Sequence, residues 1–94
     1  MARYVTLIRF TDQGTRNIKK SPTRALAFKK AAEKAGVKVE LQLWTVGKED
    51  GVLILSGDDR KVLHTLTQLA ALGNVRTRTM QAFDAREFKA MVAP

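Results

Sequence analysis

The sequence predicts an α+β fold in which a four-stranded antiparallel sheet carries helices on one face. Two observations lead to this prediction. The strand and helix patterns follow one another in the order β-α-β-β-α-β-α, and the two longer helical segments begin at capping residues and end at glycine. Two right-handed β-α-β halves in this order build the ferredoxin-like arrangement, here with a short C-terminal helix added. The length of 94 residues suits a single domain over residues 1–94.

The first half of the chain is predicted to form a strand, a helix and a second strand. Residues 3–10 alternate as a strand does, but both of their faces carry bulky apolar side chains. Ser21 followed by Pro22 predicts a helix capped by Ser21, and Gly36 predicts its end. Residues 37–44 alternate cleanly between two faces. Their predicted apolar face consists of Val37, Val39, Leu41 and Leu43, and the opposite face of Lys38, Glu40, Gln42 and Trp44.

The second half of the chain is predicted to form a turn, two strands and two helices. Residues 45–50 are the turn, and residues 51–56 are a strand that is apolar on both faces. The later boundaries are set by residues that cap helices and by glycine. The second helix is predicted to start at Asp58 or Asp59 and to end at Gly73-Asn74. Residues 75–83 are predicted to form the fourth strand, and Asp84 with Glu87 to form the capping box of the final helix.

The predicted strands present more apolar surface than the predicted helices can cover. Two helices cover one face of a four-stranded sheet, yet residues 3–10 and 51–56 are apolar on both sides. The sheet of a second copy is the simplest cover for the other face. We therefore predict a homodimer that pairs face to face.

The composition excludes several classes of site. The chain has no cysteine, which removes disulfides, thiolate nucleophiles and cysteine metal sites. Its only histidine, His64, projects away from the apolar stripe of the second helix, so we expect neither a metal site nor a cofactor. No apolar run exceeds four residues, and the N-terminal residues lack the apolar core of a signal peptide. We expect a cytoplasmic protein with no membrane segment.

The chain is basic, with a net charge of +8. Its densest group of cations consists of Arg16, Lys19, Lys20, Arg24, Lys29, Lys30 and Lys34. Such a group is typical of a solvated helix face, although it also attracts nucleic acid electrostatically. Because aromatic side chains are not interleaved with these cations and no nucleic-acid-binding motif is present, nucleic acid is the weakest of the partners considered.

Four segments resemble the GYD domain family and follow in its order. They are "YVTLIRFTDQG" (4–14), "SPTRALAFKKAAEKAG" (21–36), "WTVGKEDGVLIL" (44–55) and "LGNVRTRTMQAF" (72–83), of which "FTDQG" and "GNVRT" are the most specific. The resemblance implies a dimeric α+β barrel. Members of that superfamily include cofactor-free oxygenases, haem enzymes, isomerases and ligand binders, often with a small molecule between sheet and helices. In the Gly-x-Tyr-Asp motif of the family, Gly47 and Asp50 match and Glu49 replaces the tyrosine.

Three residues near the ends of the predicted strands are candidates for a ligand site. Asp50 lies between the turn and a strand. Its carboxylate is predicted first to bond backbone amides at the hairpin corner, and alternatively to line the rim of a pocket. Trp44 ends a strand on its predicted polar face, which favours a dimer contact, with a pocket wall as the alternative. Tyr4 carries the only phenol and suits either role.

Three arginines form a second group of candidates. Arg76 and Arg78 share a face of the fourth strand, and Arg9 lies on the first strand, its neighbour in this topology. Guanidinium groups bind carboxylate or phosphate through forked hydrogen bonds, so these residues are candidates for anion binding. The alternative is that these arginines keep an edge strand soluble or form salt bridges in the dimer.

Two main hypotheses about function follow. The first is a dimeric module that binds a small anionic or aromatic molecule or serves as an assembly unit. The second is a cofactor-independent enzyme whose pocket lies between the sheet and the helices and uses Tyr4, Asp50 and Arg76. A cavity with convergent polar groups would favour binding or catalysis, and a filled core would favour assembly.

Overall fold

A computed structural model describes residues 2–94, and Met1 lies outside the described residues. The strands are β1 (Ala2–Phe10), β2 (Lys38–Trp44), β3 (Gly51–Gly57) and β4 (Val75–Ala82). The helices are α1 (Asp12–Arg16), α2 (Ser21–Lys34), α3 (Asp59–Ala71) and α4 (Ala85–Val92), with a 3₁₀ turn (Ile18–Lys20) directly before α2. The strands form an antiparallel sheet in the order β2-β3-β1-β4, which confirms the predicted ferredoxin-like fold.

The core lies between the sheet and the helices α2 and α3. Tyr4 pairs with Leu55, and Thr6 pairs with Leu53, so these four residues project from the same face of the sheet. The buried apolar residues of the core are Tyr4, Ala32, Val37, Val39, Leu53, Leu55, Val62 and Leu66. We call this side of the sheet the covered face and the other side the open face.

A β-bulge in β2 reverses the side-chain alternation that the sequence predicts. Val39 pairs with Leu55, but the next pair is Leu41 with Ile54, so β2 carries one extra residue at this point. Beyond the bulge, Gln42 and Trp44 lie on the covered face, whereas Leu41 and Leu43 lie on the open face. The predicted faces of β2 are therefore wrong beyond Val39.

The start of α2 also differs from the prediction. Ser21 has helical backbone angles (φ −57°, ψ −44°) because the preceding 3₁₀ turn runs directly into the helix, so Ser21 is not the cap. Its hydroxyl instead accepts a hydrogen bond from Trp44. The other two predicted caps are confirmed, since Asp58 caps α3 and Asp84 forms a capping box with Glu87 at the start of α4.

The open face carries an apolar patch with basic residues around it. The patch consists of Val5, Leu7, Leu41, Leu43, Val52, Ile54 and Met80, which the strand register places on one side of the sheet. Leu43 and Met80 are 52% and 51% exposed, which is unusual for large apolar side chains that lie on one face of a sheet. Arg3, on the same face, forms an ion pair with Glu87 at 2.9 Å and thereby attaches the start of α4 to the sheet.

Candidate functional site

A cavity of about 430 Å³ lies between the covered face of the sheet and the helices α2 and α3. Its floor is formed by Ile8, Phe10, Gln42, Trp44 and Leu53. One side is lined by Ala27 and Ala31 of α2 and by Ala35, the residue that directly follows α2. The other side is lined by His64 and Gln68 of α3 and by Leu72, the residue that directly follows α3. Each set recurs every four residues and therefore follows one row along its helix. Because the α2 row consists of alanines, their methyl groups are too small to fill the space between the helices.

Trp44 forms part of the cavity because of the β-bulge. Its ring lies on the covered face, and its Nε1 donates a hydrogen bond to Ser21 Oγ at 2.9 Å. Gln42, two residues earlier, donates from Nε2 to the carbonyl of Ala25 at 3.0 Å. Both bonds connect β2 to the first turns of α2. The predicted position of Trp44 on the polar face of its strand is therefore wrong, and the indole lines the cavity instead.

Arg24 is among the residues that line this cavity. Its Nη1 donates to the carbonyl of Asn17 at 2.8 Å, whereas its Nη2 is buried and has no hydrogen-bond partner among residues 2–94. A buried donor without a partner is uncommon in proteins and calls for an explanation. Sequence reasoning grouped Arg24 with the solvated cations. At 100° per residue, however, Arg24 falls between Phe28 and Ala31 within the apolar stripe of α2, and this was the signal that could have identified it.

Asp50 lies at the hairpin corner and also in the lining of the cavity. Its backbone N–H donates to the carbonyl of Ile8 at 2.7 Å, and its Oδ2 accepts from the N–H of Phe10 at 2.8 Å. The side chain thus takes the place of a carbonyl and continues the hydrogen bonding between β1 and β3 by one residue. These hydrogen bonds are the contacts expected for the first of its two predicted roles, which is to bond backbone amides at the hairpin corner.

Tyr4 lies in the core and away from the cavity lining. It is 9% exposed, and its hydroxyl donates to Asp59 Oδ1 at 2.8 Å. This bond connects β1 to the first turn of α3. Tyr4 therefore does not meet Asp50 in one site.

The phenol of Tyr4 is expected to titrate above its ordinary range of about 10. Its hydrogen bond to Asp59 raises the pKa of Tyr4 first, and burial and the negative charge of Asp59 raise it further. Because the folded state favours the neutral phenol, this contribution to stability is present below about pH 10 and is lost as pH rises through the raised value. Tyr4 is the only tyrosine, so phenolate absorbance measures it directly. Asp59→Asn is expected to lower the pKa, and an unchanged value in that variant would contradict this assignment.

Arg9, Arg76 and Arg78 lie together on the open face, and we call them the open-face arginines. Arg9 and Arg76 are register partners across β1 and β4, and Arg78 follows Arg76 on the same side. Arg78 forms an ion pair with Glu49, whose second oxygen, Oε2, is buried with no hydrogen-bond partner among the described residues. The group forms as the strand order predicts. It lies on the opposite side of the sheet from the cavity, and so Arg76 is separated from Trp44 and Asp50.

The "FTDQG" and "GNVRT" segments pack against each other at one end of the cavity. Thr11 N–H donates to the carbonyl of Asn74 at 3.1 Å, and Thr11 Oγ1 donates to the carbonyl of Gly73 at 2.6 Å. Gln13 Nε2 donates to the carbonyl of Leu72 and to Asn74 Oδ1, at 3.0 and 2.9 Å. Since Phe10, Leu72 and Asn74 all line the cavity, this contact between the segments fixes the position of its end wall.

The described residues contain neither a candidate metal site nor a candidate membrane span. No group of three or more His, Cys, Asp or Glu side chains within residues 2–94 could hold a metal ion. His64 is exposed at the edge of the cavity, where its Nε2 lies 3.3 Å from Gln68 Nε2. Over the same residues, each helix is too short or too polar to cross a bilayer.

Comparisons with known proteins agree with the fold. A family model described as GYD domain matches residues 4–92. The crystal structure of TTHA0845 from Thermus thermophilus is similar, with a TM-score of 0.57 and 25% sequence identity over 90% of this chain and 96% of that chain. A comparison with curated proteins found no match. Because the family model spans nearly the whole sequence, the chain belongs to the GYD domain family.

Proposed function

We propose that this protein binds a small, largely apolar molecule in the cavity between the sheet and the helices α2 and α3. The observation that carries the proposal is the cavity itself, whose volume of about 430 Å³ lies in the range typical of small-molecule sites. Its lining is mostly aliphatic and aromatic, with a few polar groups at defined positions, as ligand sites generally are. Phe28 and Trp44 supply flat apolar surface, and Arg24 supplies a polar group.

We further propose that the protein is a homodimer joined through the open faces of two sheets, as in a dimeric α+β barrel. The apolar patch on the open face supports this interface, because contiguous apolar side chains on an uncovered sheet face often mark a contact with another protein. The charges around the patch are of both signs, since Glu40 and Glu49 lie beside the basic residues and pair with Arg3 and Arg78. A surface with both signs can complement itself across a two-fold axis.

A panel of matched acids and amides tests the proposed binding function. Benzoate, 2-naphthoate, 3-phenylpropanoate and octanoate, each with its primary amide, cover flat and flexible bodies with and without charge. Saturation-transfer NMR detects binding, and isothermal titration gives the dissociation constants. We expect at least one compound to bind. We expect the variant Ala31→Phe to weaken its binding at least tenfold, because the ring fills the space between the helices.

Thr23→Phe is the matched control for this variant. Thr23 is exposed on the same helix and does not line the cavity, so the added ring should leave binding unchanged. Binding that Ala31→Phe leaves intact would contradict the proposed site. Binding of none of the eight compounds would contradict the proposed function.

A further inference from the structure

Arg24 is a cation among the mostly apolar residues that line the cavity. It lies in the first turns of α2, on the stripe that also carries Phe28 and Ala31. Its Nη1 donates a hydrogen bond to the carbonyl of Asn17 at 2.8 Å. Nη2 is buried and has no hydrogen-bond partner among residues 2–94. A charged donor in this state is destabilising, and a ligand can supply its acceptor only if the side chain turns Nη2 toward the cavity.

The chain itself supplies no counter-ion for Arg24 among the described residues. Asp50 is the carboxylate in the cavity lining, but it directs Oδ2 to the N–H of Phe10 and forms no ion pair with Arg24. The other titratable group in the lining, His64, is exposed at its edge and on the other helix. The net charge of +8, with Lys19, Lys20, Lys29 and Lys30 on or next to α2, adds a positive potential that favours an anion there.

We infer that Arg24 binds the anionic group of the ligand, and that the ligand is a monoanion, such as a carboxylate, with a flat apolar body. This inference rests on the proposed function and deepens it. One cation in the lining matches one anionic group, because a second negative charge would lie in the cavity without a partner. The forked donors of a guanidinium match the two oxygens of a carboxylate. Phe28 and Trp44 then contact the apolar body.

The test compares 2-naphthoate with 2-naphthamide, which have the same ring system and differ in charge. Trp44 is the only tryptophan in the sequence and lines the cavity, so quenching of its fluorescence reports binding at this site. We expect the acid to bind at least tenfold more tightly than the amide. Arg24→Gln should remove this preference while leaving the amide affinity unchanged, and Arg24→Lys should retain part of it.

Arg16→Gln is the matched control for loss of one positive charge. Arg16 is exposed on α1 and does not line the cavity, so the preference for the acid should persist in this variant. Unchanged amide binding in Arg24→Gln also shows that the variant is folded. Equal binding of acid and amide, or an acid preference that survives Arg24→Gln, overturns the role of Arg24 while the proposed function stands. If neither compound quenches Trp44 and the wider panel also fails to bind, the proposed function and this inference both fail.

Discussion

Replacing Ile54 by aspartate is expected to convert the proposed homodimer into a monomer. Ile54 lies on β3, a central strand, within the apolar patch of the open face, opposite Val5 on one side and Leu41 on the other. In a face-to-face dimer, the carboxylate would be buried without a partner. The expected cost is about 3 kcal/mol or more, which weakens association by roughly a hundredfold. Sedimentation velocity at several protein concentrations measures the change.

Two further variants decide whether this effect belongs to the open face. Met80→Lys places a charge at a half-exposed position of the same patch, where an isolated protomer tolerates it, and should also give monomers. Leu26→Asp makes the same kind of change at a half-exposed leucine on α2, on the other side of the sheet, and should leave the dimer intact. A parent protein that is monomeric, or a dimer that both patch variants preserve, would contradict the proposed interface.

Gly14→Ala is expected to destabilise the fold strongly although it adds only one methyl group. A Cβ at Gly14 would overlap the carbonyl oxygen of Asn74 and lie 3.3 Å from Cδ1 of Phe10. The overlap is with backbone, which cannot move without breaking the hydrogen bond between Thr11 N–H and the Asn74 carbonyl. We expect a loss of about 3 kcal/mol, which lowers the melting temperature of a domain of this size by more than about 10 °C.

Thr15→Ala is the control for Gly14→Ala. Thr15 is the next residue of α1 and is exposed, so its replacement should shift the melting temperature by only about 2–4 °C. Circular dichroism on heating measures both variants. Equal stability of the Gly14→Ala variant and the parent protein would show that α1 can move away from Asn74, and that the "FTDQG" segment does not fix the end wall of the cavity.

The order of elements could be predicted from the sequence because each boundary has a local chemical signal. Asp58 and Asp84 cap α3 and α4 through hydrogen bonds within three residues, so a single sequence contains both partners of each contact. The bulge in β2 has no such signal. Residues 37–44 alternate without interruption, and the extra residue is apparent only from the pairing of Val39 and Leu41 with β3. The position of Trp44 depends on that pairing and could not be predicted.

The candidate site was only partly predictable, for a related reason. Asp50 was identified from its position at the turn, and its contacts with β1 became evident only in the fold. The open-face arginines could be placed together from strand order alone, but strand order does not show whether their side of the sheet faces a cavity. Arg24 is different, because its place on the apolar stripe of α2 was visible in the sequence. It was assigned to the solvated cations because the segment around it is rich in basic residues.

The two-dimensional amide NMR spectrum of the protein, recorded with and without 2-naphthoate, tests ligand binding in the cavity residue by residue. The indole N–H of Trp44 gives a single assignable signal, and the side-chain amide of Gln42 lies near it on the covered face. Binding in the cavity predicts shifts of both signals and of the Arg24 side chain, with the open-face arginines unchanged. Shifts confined to the open-face arginines, with Trp44 and Gln42 unaffected, would contradict the account and place anion binding on the other side of the sheet.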